Sequence, residues 1–200
     1  PDPVVRYEGM DTLTEVRCTA LEVAVKLKGL KVDKAPGPDG YLPKVLKSVA
    51  DELSPHLERI FNKSLESGEA PSDMREANVT AIHKSGSVDR VDCNRPISLT
   101  SIPGKVLESI IKDHIVEHLE RHELIRDSQH GFCSGRSCLT NLLSFFHHMF
   151  ACYDRSRAID IVYLDFQKAF DKVPHRRLLV KVRALGIGGS DRKSTRLNSS

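Results

Sequence analysis

The stretch that most restricts how this chain can fold is residues 158–166, AIDIVYLDF. It is a nearly unbroken apolar run rich in β-branched side chains, so it reads as a buried strand. It also carries a carboxylate, Asp165, near its C-terminal end. A buried, unpaired carboxylate is costly. Asp165 therefore either caps a strand–helix junction or faces a cleft where it holds a hard cation such as Mg²⁺. A metal there would activate a hydroxyl and stabilise a transferring phosphoryl group.

The rest of the pattern is mostly helical. Residues 11–30 read as an amphipathic helix, with Leu13, Val16, Ala20, Val23, Ala24, Leu27 and Leu30 at three- and four-residue steps. Thr12 and Glu15 have capping-box spacing. Residues 31–40, KVDKAPGPDG, form a loop. Residues 43–67 read as two helices, the second opened by Ser54-Pro55 and ended by Gly68. Residues 78–83, NVTAIH, read as a short strand, and residues 84–94 as a polar loop. Residues 104–122 are the clearest helix, and residues 138–153 are expected to form another. The histidines His114, His118 and His122 repeat every four residues on the 104–122 helix, with His118 and His122 expected on its solvated side. The fold class is therefore α+β, with strands far apart in sequence that must find partners elsewhere.

Bulk properties exclude several classes. The 200 residues are 40% apolar and 28% charged, ordinary for a globular protein. No apolar run is long enough to span a membrane, and Pro1-Asp2-Pro3 does not open a secretory signal. The five cysteines are irregularly spaced and odd in number, which favours reduced thiols in an intracellular compartment. His130, Cys133, Cys138, His147 and His148 lie close in sequence, but without the paired-ligand repeat of a zinc site. Neither a P-loop nor a nucleophile elbow is present. The net charge of +3 is compatible with nucleic acid without arguing for it.

Two further segments carry candidate chemistry. Lys84, in His83-Lys84-Ser85-Gly86, offers a point charge, and Arg95, in Arg95-Pro96-Ile97-Ser98-Leu99, a planar fork suited to phosphate. Either they grip one triphosphate from two sides of the loop, or they are two solvated loop cations. In residues 129–137, QHGFCSGRS, two glycines, an arginine and hydroxyls could lie against a nucleic-acid backbone. The other reading of that segment is a loop leading into a helix capped by Ser137.

Taken in order, six blocks form a recognisable series: KAPGPDG at 34–40, ANV leading to IHKSG at 77–86, RPISLTS at 95–101, GKVLE at 104–108, QHGF with GRS at 129–137, and LDF with AFD at 164–171. From about Lys34 to Gly189 the chain resembles the reverse transcriptases of non-LTR, LINE-type retrotransposons, especially the jockey and CR1-like groups. The resemblance implies a right-hand polymerase fold, with helical fingers and an incomplete palm sheet. On that reading residues 1–33 are a helical lead-in, 34–157 the fingers, and 158–189 the first part of the palm. It implies an RNA-directed DNA polymerase using an RNA template, a DNA primer and deoxynucleotide triphosphates, with no membrane and no obligate protein partner, acting in cytoplasm and nucleus. Asp165 matches a catalytic aspartate that binds both Mg²⁺ ions, joined by the backbone carbonyl of Phe166. Phe170 matches the aromatic that crowds the sugar and selects against a 2′-hydroxyl. Lys84 and Arg95 match residues that hold the incoming triphosphate. Gly131, Phe132, Gly135, Arg136 and Ser137 match a block near the template.

The chain also departs from the family pattern. It has no tryptophan, Cys93-Asn94 stands where Asn-Tyr is usual, and Cys133 stands where arginine commonly follows Gly-Phe. The family's aromatic-x-Asp-Asp block is not among these residues. Two-metal catalysis draws carboxylates from both blocks, so the 200 residues alone are expected to be inactive. Residues 190–200 read as a non-native or disordered tail, and residues 191–200, DRKSTRLNSS, read like translated sequencing adapter. They hold one acid and three bases, so without them the net charge falls from +3 to +1. The alternative function is a domesticated, non-catalytic RNA-binding module derived from the fingers.

Overall fold

The computed structural model describes residues 11–84, 86–87, 90, 93–166, 169 and 172–188. Its elements are α1 (Ala20–Lys28), α2 (Pro43–Ser48), α3 (Ala50–Ser67), α4 (Ser72–Arg75), β1 (Ala77–His83), β2 (Asn94–Thr100), α5 (Ile102–Arg121), α6 (Cys138–Tyr153) and α7 (His175–Ala184). These residues fall into two compact units, Leu13–Glu117 and, with residues 11–12, residues 118–188. Among the described residues, helices are joined by one small antiparallel sheet. No described helix is long and apolar enough to cross a membrane.

The hydrophobic core lies in the first unit. Cys18, Val23, Leu27, Leu46, Ala50, Leu57, Phe61, Ile102, Val106, Leu107 and Ile110 form one cluster, with Phe61 and Leu27 wholly buried. α1 is shorter than the apolar period predicts. Its cap is Thr19 with Glu22, not Thr12 with Glu15: the Glu22 N–H donates to the Thr19 hydroxyl at 3.2 Å, and the Thr19 N–H donates to the Glu22 carboxylate at 2.8 Å. Both pairs have the right spacing, but helix from Thr19 onward is what puts Val23, Ala24 and Leu27 into the core. The segment before it is pinned instead by Asn62, which accepts from the Cys18 N–H at 2.8 Å and donates to the Cys18 carbonyl at 2.9 Å.

α3 starts at Ala50, ahead of the Ser54-Pro55 start expected from the sequence. Pro55 sits inside the helix and forfeits one backbone N–H. Burial decides the matter: Ala50 and Ser54 are each 2% exposed, and the Ser54 hydroxyl donates to the Ala50 carbonyl. Gly68 ends α3 in the left-handed region at φ +69°, as its identity predicts.

The strands do not seek distant partners. β1 pairs with β2 in a hairpin, from Ala77↔Thr100 to His83↔Asn94. The Lys84 N–H extends the ladder to the Cys93 carbonyl at 2.9 Å. By alternation the Ala81–Pro96 pair is then a non-hydrogen-bonded one, where proline gives up no ladder bond. α5 begins at Ile102, two residues before its expected start, because the buried Ser101 hydroxyl accepts the Gly104 N–H at 3.0 Å.

In the second unit His118 is 5% exposed, contrary to the solvated stripe expected. Its Nε2 lies 2.9 Å from the Leu185 carbonyl just beyond α7, and its ring meets His122 edge-on with centroids 4.7 Å apart. The expected helix at 138–153 is α6. The expected buried strand at 158–166 is not formed: the segment has no strand pairing and is exposed. A strand needs a neighbouring edge, and the one described sheet consists of β1 and β2 alone. Instead Tyr163 sets its ring 6.2 Å from that of Phe145 on α6.

Candidate functional site

Lys84 and Arg95 are brought together by the hairpin. Arg95 stands opposite Ile82, and Lys84 follows two residues later. Side chains alternate along a strand, so Lys84 and Arg95 project from the same face as diagonal neighbours, roughly 7–8 Å apart at the backbone. Both are exposed. A flexible ammonium beside a planar guanidinium is suited to one polyanion bridging them. β2, which sets this register, was hidden in the sequence by Pro96, although Arg95, Ile97 and Leu99 do alternate.

The KAPGPDG block belongs to the same neighbourhood. Gly37 is buried, and a Cβ there would lie 2.6 Å from the Thr100 carbonyl group at the end of β2. Only a residue without a side chain lets the loop come this close. The loop thus braces the hairpin that carries Arg95.

The 129–137 segment is a braced loop that leads into α6. Ser137 caps the helix: its hydroxyl accepts from the Thr140 N–H at 3.2 Å, and its own N–H donates to the Thr140 hydroxyl at 2.8 Å. His130 Nδ1 lies 3.0 Å from that same hydroxyl. Arg136 turns back onto the loop and Phe132 points out, 89% exposed. Gly135 has φ +69°, which suits glycine. A cleft of about 530 Å³ behind the loop is lined by Glu120, Glu123 and Asp127 with Arg126 and Arg136. Its acids outnumber its bases, so it is a poor place for a triphosphate.

Asp165 is exposed on the extended segment, next to Phe166 at 81% exposure. A carboxylate and a backbone carbonyl are hard oxygen donors of the kind Mg²⁺ takes. They match such an ion in type but not in number, since no group of three or more acidic, His or Cys side chains gathers among the described residues. Phe170, the expected sugar-crowding aromatic, lies outside the described residues, as do Gln167, Lys168 and Asp171.

Comparison with known proteins gives this arrangement its context. Residues 82–197 match the family described as reverse transcriptase (RNA-dependent DNA polymerase), a stretch that contains Lys84, Arg95, the braced loop and Asp165. The chain belongs to the reverse transcriptase family, in its non-LTR, LINE-type branch. It is 29% identical over 165 residues to the probable RNA-directed DNA polymerase from transposon BS of Drosophila melanogaster. It is 31% identical over 168 residues to the RNA-directed DNA polymerase from mobile element jockey of Drosophila funebris. These alignments cover 82% and 84% of the chain, but only 18% of each relative's length. The transposon TX1 149 kDa protein of Xenopus laevis is 25% identical across 94% of the chain and 15% of its own length.

Proposed function

We propose that this chain is the fingers and the first part of the palm of a right-hand polymerase that copies RNA into DNA for a non-LTR retrotransposon. In this reading residues 34–157 are fingers and residues 158–189 open the palm. Lys84 and Arg95 hold the triphosphate of the incoming deoxynucleotide. The braced loop at 131–137 faces the template. Asp165 and the Phe166 carbonyl would supply oxygen donors to Mg²⁺, which when bound activates the primer hydroxyl and neutralises the phosphates. Phe170 would limit the sugar to a deoxyribose.

The observation that supports the reading is the hairpin register, from which strand alternation puts Lys84 and Arg95 on one face as diagonal neighbours. The test is binding of a fluorescent deoxynucleotide triphosphate to the 200-residue chain. Lys84→Ala and Arg95→Ala should each weaken binding several-fold, and added salt should weaken wild-type binding steeply. Binding that ignores both substitutions would overturn the assignment.

A further inference from the structure

The loop between α5 and α6 is more heavily braced than a passive connector requires. Arg136, the side chain in it best suited to phosphate, is already engaged. Its Nη1 donates to the carbonyls of Arg126 at 3.3 Å, Asp127 at 2.5 Å and Gln129 at 2.7 Å, and its Nη2 lies 3.4 Å from Asp127 Oδ1. Gln129 donates its amide to the Gly131 carbonyl at 2.9 Å, and His130 is tied to Thr140 in the cap of α6. The two Nη1 hydrogens are spent on these carbonyls, so the loop's own backbone sets the orientation of the guanidinium.

What the bracing holds up is Phe132. Its backbone is in the left-handed region at φ +61°, where an aromatic residue is strained, and its ring is 89% exposed. Its sequence neighbours, Gly131, Cys133, Ser134 and Gly135, are small residues that leave the ring uncovered. A lone ring on a stiff, strained mount is suited to a flat π-system. Arg126 in this loop is offset by Asp127, so stacking rather than charge holds the carrier of that π-system.

The geometry points to a division of labour in this loop: Phe132 is a platform on which an unpaired base of single-stranded nucleic acid stacks, and Arg136 is the positioning residue that holds the platform rather than a phosphate ligand. This deepens the proposed template-facing role of the loop and rests on it. Stacking needs an unpaired base, so the platform distinguishes single strands from duplex. The three carbonyls converge on Nη1, one bond beyond the reach of a lysine nitrogen, so lysine does not replace Arg136.

The experiment uses the 200-residue chain with a short single-stranded RNA carrying one 2-aminopurine, and a blunt duplex of the same sequence. The wild type should bind the single strand and quench the 2-aminopurine. Phe132→Ala should weaken single-strand binding about tenfold and leave duplex binding unchanged, while Phe132→Tyr retains it. Phe132→Gly relieves the strained φ, so it should lose RNA binding without lowering the melting temperature. Arg136→Lys and Arg136→Gln should weaken binding equally, leave the salt slope unchanged and add nothing to Phe132→Ala. A salt slope reduced by about 0.7 in Arg136→Gln and preserved in Arg136→Lys identifies a phosphate ligand and overturns the clamp. RNA binding indifferent to Phe132→Ala, or equal loss on the duplex, overturns the platform. Absence of RNA binding overturns it as well. The polymerase reading still stands in that case if triphosphate binding depends on Lys84 and Arg95, and falls with it if that dependence is also missing.

Discussion

Gly37 and Thr100 approach so closely that a Cβ on residue 37 would sit 2.6 Å from both the carbonyl carbon and the oxygen of Thr100. Two motifs separated by most of the first unit are thereby one structural feature. The obstacle is backbone, which cannot swing aside as a long side chain can. Gly37→Ala should destabilise the chain by about 2–3 kcal/mol, while Gly40→Ala, at φ +68° with open space around it, pays only for backbone strain of about 1 kcal/mol. Urea unfolding of the two variants checks the order, and equal effects would refute the close packing.

Asn62 supplies the hydrogen bonds that hold Cys18 against the core. Asn62→Leu should cost about 1–3 kcal/mol by stranding both the N–H and the carbonyl of Cys18. The same burial, with Glu22 and Glu58 nearby, pushes the Cys18 thiol up to about 11. Because the thiolate is the reactive form, iodoacetamide at neutral pH should label the exposed Cys138 well before Cys18. Asn62→Leu should narrow that gap. Mass spectrometry of tryptic peptides reads both rates.

Glu22 predicts an acid-sensitive contribution. Burial acts to raise its carboxyl, but the Thr19 hydroxyl and N–H, with His114 3.2 Å away, outweigh that and hold it below the usual carboxylate range. The folded value lies below the unfolded one, so the stabilisation is present above the ordinary carboxylate pKa of about 4.3 and is lost as pH falls through the folded value. The side chain is 38% exposed, so solvent screening limits the effect to roughly 0.5 kcal/mol. Thr19→Ala should cost about 1 kcal/mol at neutral pH, and Glu22→Gln should flatten the decline in melting temperature on acidification.

His118 ties α5 to the end of α7 through the Leu185 carbonyl. His118→Leu keeps the bulk but strands that carbonyl, at a cost of about 1–2 kcal/mol. Hydrogen exchange should quicken at the amides of Leu185, Gly186 and Ile187, which close the α7 terminus. Unchanged exchange there would remove His118 from that role.

Features written in short-range spacing were legible without a structure. Gly68 ends α3, Ser137 caps α6, and residues 78–83 lie within β1, because each depends on hydrogen bonds or side-chain periods spanning a few residues. The ordered motif blocks likewise carried the family, whereas the chemistry of Lys84 and Arg95 alone left a triphosphate pair and two solvated loop cations both open. Tertiary structure decided what local spacing left open. Thr12 and Thr19 offer the same capping-box spacing, and burial of Val23 and Leu27 against α3 selects Thr19. The common face of Lys84 and Arg95 exists only once β2 pairs with β1, and β2 carries a proline that argues against a strand in isolation. His118 looks solvated by period and is buried, with its ring nitrogen against the carbonyl of Leu185 far along the chain. Residues 158–166 have every local mark of a strand and remain unpaired, since strand formation is completed by a second backbone and not by the segment's own composition.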